Sequence, residues 1–379
     1  MQNFKIKNKS KKTKARIGQL TTEHGSIETP VFMPPATRGF LKSVDSVDVV
    51  DNIKNQMLLV NTYHLYLRPG DKFVKKFGGI HKFMSFGRPI LSDSGGFQVW
   101  SLNKKGEKLA KITEDGVTFR SSIDGSKHMF TPEKSIEIQH NLGVDILMAF
   151  DECTDDNFSK EKVNKVLDRS NRWLLRSCDF HQKLQKKNKT KKLLFGIAQG
   201  GVHLDLRKKA LDFVNNTFVD GVALGGETIG YNMPKTKELL ENLYDKFDLN
   251  RPIYTMGLGG NIQDMLDAVV RGVDMFDCVN PARLARHGEL FVGKLDFKTF
   301  QIKSKEKGNV IKIGNSKYQD DKNPIEKNCD CLVCQNYSRA YLRYLYMTKE
   351  PLYFRLATIH NIYYVNKIIN QLKDFIKNE

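Results

Sequence analysis

Short apolar runs recur along the chain, and most of them stop abruptly at a polar or glycine-rich step. Eight have strand character: Thr29–Pro34, Met57–Asn61, Pro89–Ser92, Ile146–Phe150, Leu193–Ala198, Gly221–Leu224, Ile253–Met256 and Met275–Val279. The stretches between several of them carry the three-to-four-residue apolar spacing of amphipathic helices. Predicted helices cover Lys160 to Lys183, Asp205 to Asn215, Pro234 to Lys246 and Ile262 to Gly272. One more begins at Thr131-Pro-Glu. Thr131 is placed to cap it, Pro132 suits the first helical position, Glu133 faces the positive end of the helix dipole, and Gly143 ends it. Eight strands alternating with helices predict an α/β fold of the (β/α)₈ barrel type, with a doubly wound open sheet as the competing topology.

The ends of the runs favour the barrel. Asp93 follows the third run, Asp151-Glu152 the fourth, Gln199-Gly-Gly the fifth, Gly225-Gly-Glu227 the sixth and Gly257-Leu-Gly the seventh. Barrel enzymes keep their chemistry at these carboxyl-terminal strand ends. Two stretches fall outside the repeat. Gly116 to Phe130 alternates around Asp124-Gly125 and predicts a hairpin insertion. A polar, lysine-rich segment from about Lys298 to Pro351 predicts a second insertion. The expected organisation is a barrel over residues 1–297 with the hairpin near 116–130, an insertion over 298–351, and a C-terminal helix over 352–379 that completes the barrel.

Composition adds a partner class. The 379 residues include 61 lysines and arginines against 43 acidic residues, a formal net charge of +18. That excess suits a polyanion such as nucleic acid, and it equally suits a solvated lysine-rich surface. The lysine-rich start is followed by no apolar stretch of signal-peptide type, and no run reaches the roughly 18 apolar residues of a membrane span. A cytoplasmic protein without membrane contact is expected. Neither a dinucleotide-binding fingerprint nor a phosphate-binding P-loop is present.

Six cysteines divide into three isolated ones, Cys153, Cys178 and Cys278, and three within six residues, Cys329, Cys331 and Cys334. C-x-C-x₂-C reads as a metal site of soft sulfur ligands, and His360, 26 residues on, is the candidate fourth ligand. Three thiolates and an imidazole fill a tetrahedral Zn²⁺ shell and leave no position for water, so the predicted zinc is structural.

Four motifs in order, Leu91-Ser-Asp-Ser-Gly-Gly-Phe-Gln98, Ala149-Phe-Asp-Glu-Cys153, Asp274-Met-Phe-Asp-Cys-Val279 and the cysteine cluster with His360, resemble the bacterial tRNA-guanine transglycosylases, from roughly Gly18 to His360. The resemblance implies a (β/α)₈ barrel with an inserted zinc subdomain, a homodimer, and exchange of guanine at the wobble position of tRNAs with a G-U-N anticodon for 7-aminomethyl-7-deazaguanine, a step of queuosine biosynthesis. It implies Asp277 as nucleophile and Asp93 as the carboxylate that moves protons. It further implies base recognition by Asp93, Asp151, Gln199, Gly225 and Gly226, stacking by Phe97 and Met256, and RNA contacts from Arg283 and Arg286.

The match departs from the family in three places. Where bacterial members read Gly-Gly-Leu-Ala-Val-Gly-Glu, this chain reads Gly225-Gly-Glu-Thr-Ile-Gly-Tyr231. Glu227 is expected to replace the lost carboxylate and face the aminomethyl group, while queuine stays open as the incoming base. Phe97 stands where the family usually has tyrosine, and a lysine is missing near Gly260-Asn261. Two rival readings remain: a non-catalytic tRNA-binding subunit, against which both Asp93 and Asp277 speak, and a zinc-dependent barrel hydrolase, which needs histidines at strand ends that the chain lacks apart from His64.

Overall fold

The computed structural model describes residues 3–102 and 109–379. All eight strand expectations hold. The strands are β1 (Val31–Met33), β2 (Leu58–Val60), β3 (Ile90–Ser92), β4 (Ile146–Met148), β5 (Leu193–Ala198), β6 (Gly221–Leu224), β7 (Ile253–Thr255) and β8 (Met275–Asp277). Each pairs in parallel with its sequence neighbour, and β8 returns to β1 through Met275 opposite Val31. A bridge between Pro35 and Leu59 joins β1 to β2 and closes the ring, so the barrel replaces the open-sheet alternative.

Alternation along the strands sorts side chains into two apolar bodies. Leu193, Phe195 and Ile197 of β5 point inward and meet Met33, Leu59, Leu91, Met148, Ala223 and Met275. The larger cluster outside the ring packs strands against helices. The helices that follow β3 to β8 and close the chain are α1 (Pro132–Leu142), α2 (Lys160–Asn188), α3 (Leu204–Asn215), α4 (Met233–Leu243), α5 (Ile262–Val269), α6 (Asn280–Arg286) and α7 (Pro351–Lys377). Helix α1 starts and stops as its sequence predicts. The Thr131 hydroxyl accepts from the Lys134 amide at 3.1 Å, and Gly143 ends the helix at φ 75°.

One element went unread in the sequence. Phe4–Lys9, Arg16–Thr22 and Gly25–Thr29 form an antiparallel three-stranded sheet. Its lysines alternate with Phe4 and Ile6, a strand pattern hidden inside a charge run. Phe4, Leu20 and Ile27 join the inner apolar cluster and plug the barrel floor. At the opposite end, Val117–Arg120 pairs antiparallel with Lys127–Phe130 around the Asp124-Gly125 turn, with Ala110–Ile112 as a third strand. Residues 298–350 hold only short strands and helices, two of which, Leu332–Asn336 and Arg339–Met347, pack on α7.

Candidate active site

The carboxyl ends of the strands surround a cavity of about 650 Å³. Asp93, Phe97, Asp151, Gly225, Gly226, Met256, Asp277 and Arg283 all line it, so residues separated by up to 190 positions in sequence share one cavity. Strand ends bring them there. Asp93 directly follows β3, Asp277 closes β8, and Gly225 follows β6.

Asp93 is held by neutral donors. The Asn61 side-chain amide donates to one carboxylate oxygen, and the Thr62 and Gly95 amides donate to the other at 2.9 and 3.2 Å. Burial pushes its pKa up to about 7, aided by the nearby negative charge of Asp277 and Asp151, against the two amides. A carboxyl group poised there exchanges protons readily at neutral pH. Burial also pushes Asp151 up to about 6, against hydrogen bonds from the Ser94 hydroxyl (3.0 Å) and the Gln199 amide (2.6 Å). Asp277 is raised for the same reason, against the Gly257 amide and the Tyr254 hydroxyl, which both donate to Oδ1 at 2.8 and 2.7 Å. Three carboxyl groups that line one cavity and, among the described residues, have no cationic partner are the mark of acid–base and nucleophilic work rather than of structural ion pairing.

Phe97 stands on the rim, 40% exposed, with its ring 5.5 Å from that of Trp100. Met256 is half-buried across the cavity. Two glycines let the backbone close in. A Cβ on Gly225 would sit 2.6 Å from Ile197 Cγ2, and one on Gly226 would sit 2.6 Å from Thr154 Oγ1, with φ at +98° besides. Buried Arg207 braces this turn from below, donating to the carbonyls of Ala198 (3.0 Å), Gly201 (2.9 Å) and Gly225 (2.7 Å).

Three expected site residues stand elsewhere. Gln199 is fully buried behind Asp151. Its amide group is engaged by Asp151 and by the Thr154 hydroxyl at 3.0 Å, so it orients the carboxylate instead of lining the cavity. Glu227 turns out of the cavity wall: its carboxylate accepts from the Asp156 amide at 3.4 Å, and Tyr231, with Ile229 and Gly230, occupies the wall near it. The Glu227 backbone is already helical (φ −63°, ψ −34°) at the start of the turn Thr228–Tyr231, which aims the side chain at the 155–156 loop. Arg283 is exposed on the cavity rim, whereas Arg286 lies one turn further along α6 and donates to the Ala282 carbonyl at 2.9 Å.

Sequence reasoning passed over Asn61, Thr62, Tyr254 and Arg207. Asn61-Thr62 was visible as the polar end of the second run. Tyr254 sits inside an apolar run, and nothing in its spacing separates it from core.

Cys329, Cys331, Cys334 and His360 are all buried, with ligand atoms within 4.8 Å of one another. His360 Nδ1 lies 3.5 and 3.4 Å from the sulfurs of Cys331 and Cys334. Its Nε2 lies 2.8 Å from the Phe291 carbonyl. A proton on Nε2 satisfies that carbonyl and leaves Nδ1 as a lone-pair donor, the arrangement that orients metal-bound imidazoles. The cluster fits a soft, tetrahedral metal ion. A second group, His24, His81 and Asp145, also brings its ligand atoms within 4.8 Å, at the barrel floor. There both carboxylate oxygens already accept from backbone amides, His24 N and Ile90 N, at 3.0 and 2.9 Å.

Fold and mouth together define a (β/α)₈-barrel enzyme with three carboxyl groups lining one cavity at the strand ends. Residues 10–379 match the family model described as queuine tRNA-ribosyltransferase, and the chain belongs to that family, the tRNA-guanine transglycosylases. Relatives bearing that name in Herpetosiphon aurantiacus and Caldanaerobacter subterraneus are 44% and 43% identical over 99% of this chain, covering 89% and 94% of their own lengths. A third, from Fusobacterium nucleatum, is 44% identical with 94% of its length covered. Among the described residues no helix is long and apolar enough to cross a membrane.

Proposed function

We propose that this enzyme exchanges guanine at the wobble position of tRNAs with G-U-N anticodons for 7-aminomethyl-7-deazaguanine, by double displacement through a ribosyl ester of Asp277. The observation that carries the reading is the wall shared by Asp277 and a proton-exchanging Asp93. Asp277 attacks C1′ of the ribose while the departing guanine takes a proton from Asp93, by way of an oxocarbenium-like transition state. The incoming base then attacks the same carbon from the vacated side, breaks the ester and returns its proton to Asp93, so configuration is retained.

Asp151, oriented by Gln199 and Ser94, accepts hydrogen bonds from the purine edge. Phe97 and Met256 stack on the base, and Gly225-Gly226 admits it by lacking side chains. An unpaired anticodon loop supplies a guanine free to leave its stack. Arg283 meets the RNA at the rim, and Arg286 adds positive potential behind it. Zn²⁺ held by the four buried ligands ties the 298–350 segment to α7 and supplies no chemistry to the mouth. The family resemblance implies a homodimer in the cytoplasm.

Two observations bear on the incoming base. Cys153 in the cavity wall matches the bacterial, aminomethyl-using members. Ile229, Tyr231, Met233 and Pro234, however, make one side of the same cavity apolar, which favours a bulkier base such as queuine. The test is release of labelled guanine from a G-U-N tRNA with each base added in turn. Saturation at the lowest concentration by the aminomethyl base supports the proposal. Preference for queuine transfers the assignment to that base, and no release with either removes the exchange reading.

A further inference from the structure

Strand β7 places Tyr254 opposite Met275 of β8, two residues before Asp277. Its ring belongs to the inner apolar cluster of the barrel, 1% exposed, and the residue lines the cavity. That hydroxyl donates to Asp277 Oδ1 at 2.7 Å. The Gly257 amide donates to the same oxygen at 2.8 Å, from a backbone at φ +67° that favours glycine. Neither donor touches Oδ2. The two oxygens of the carboxylate are therefore inequivalent before any substrate arrives.

We propose that Tyr254 is a positioning residue that reserves Oδ2 of Asp277 for attack on C1′ and speeds release of the carboxylate in the second displacement. The inference rests on the double-displacement reading above. In the first displacement the Oδ2 lone pair forms the C1′–Oδ2 bond as the C1′–N9 bond to guanine breaks, and Asp93 gives its proton to the leaving base. In the second, N9 of the incoming base bonds to C1′, the C1′–Oδ2 electron pair returns to the carboxylate, and the N9 proton passes to Asp93. Charge returning to the carboxylate is shared with Oδ1, so the phenol hydrogen bond strengthens as the ester breaks. In the reverse sense the same bond restrains attack. Burial and the adjacent Asp277 charge keep the Tyr254 phenol protonated far above its usual range, so it stays a donor throughout.

Tyr254→Phe removes one oxygen from a buried ring and preserves its packing. The experiment uses the full-length enzyme and an anticodon stem-loop RNA without added base. The covalent complex is followed on a denaturing gel, then chased with guanine. The expected result is a covalent complex that accumulates to a higher level and decays about tenfold or more slowly than the parent's, the equivalent of about 1.4 kcal/mol. Kd for the RNA should stay the same. The acid limb of the attack step should move to higher pH, because the carboxylate loses a donor that favours its charged form. Decay at the parental rate overturns the inference, and so does an equal slowing of attack and decay, the sign of general distortion. A parent complex mapped to Asp277 with an unaffected variant rejects the role of Tyr254 alone. A parent that forms no complex rejects the double-displacement reading and this inference with it.

Discussion

The two ends of the barrel surround their aspartates with different partners. At the floor, Asp145, Asp220 and Asp274 each stand immediately before a strand and accept from an amide of the neighbouring one: Ile90, Leu194 and Ile253, at 2.9, 3.0 and 2.8 Å. Asp274 also grips Arg16, with Nε at 3.0 Å. Asp145 holds the stacked rings of His24 and His81 at 2.8 and 3.0 Å. The two imidazoles and the Ile90 amide outweigh burial and hold its pKa down to about 2. At the mouth, Asp93 and Asp151 are buried and Asp277 is half-buried, and amides and hydroxyls are their hydrogen-bond donors. Their pKa values rise. Burial alone does not decide what a carboxylate does. Burial raises Asp220 and Asp274 too, so at the floor it is Asp145, gripped by two imidazoles, that keeps its charge, while the mouth carboxylates have only neutral hydrogen-bond donors among the described residues.

The sharpest break of this comparison is a crossed pair of substitutions. Asp277→Asn should lower base exchange by about 10³-fold or more, the scale on which loss of a covalent nucleophile is felt, with little change in the thermal midpoint. Asp145→Asn should do the reverse. It leaves exchange near parental and costs about 2 kcal/mol of stability, the value of the depressed pKa, as read by urea titration. The metal cluster belongs with the floor in this scheme. Stripping the metal, or Cys334→Ser, should loosen the 298–350 segment by several kcal/mol, seen as faster proteolysis there. Exchange should be lost in step with that unfolding and not before it.

Acid and alkali separate the two ends further. Asp145 is depressed in the fold, so its contribution to stability is present above about pH 4 and is lost as pH falls towards 2. The stability gap between parent and Asp145→Asn should close over that window. Asp93 is raised, and the attack step needs its proton. Single-turnover guanine release should therefore fall about tenfold per pH unit once pH exceeds about 7. The smallest expected effects lie on the rim. Arg283→Ala should raise KM for tRNA about tenfold, and Arg286→Ala about threefold, with kcat nearly unchanged.

The sequence announced the mouth far better than the floor. Strand ends could be read because apolar runs of four to six residues stop at Asp, Gly or Gln. Cys-x-Cys-x₂-Cys stands out by spacing, whereas His360, a candidate fourth ligand 26 residues on, is brought to the cluster by the fold. Asp145, Asp220 and Asp274 look like ordinary polar starts of strands, since their partners lie 21 to 258 residues away. Residue type and order alone place Gln199 and Glu227 against the ligand. Whether a side chain lines a cavity or braces its neighbour is set by backbone direction at a turn, and sequence spacing carries no trace of it. Tyr254 was invisible for the converse reason: its ring obeys the core pattern, and only its last atom takes part.

The most direct test of the account is the location of the covalent bond. After incubation with an anticodon stem-loop, denaturation and proteolysis, mass spectrometry should find the RNA-derived ribosyl group on the peptide that contains Asp277. Its absence from Asp277, or its attachment to the peptide that contains Asp93, would contradict the roles assigned to the two carboxylates.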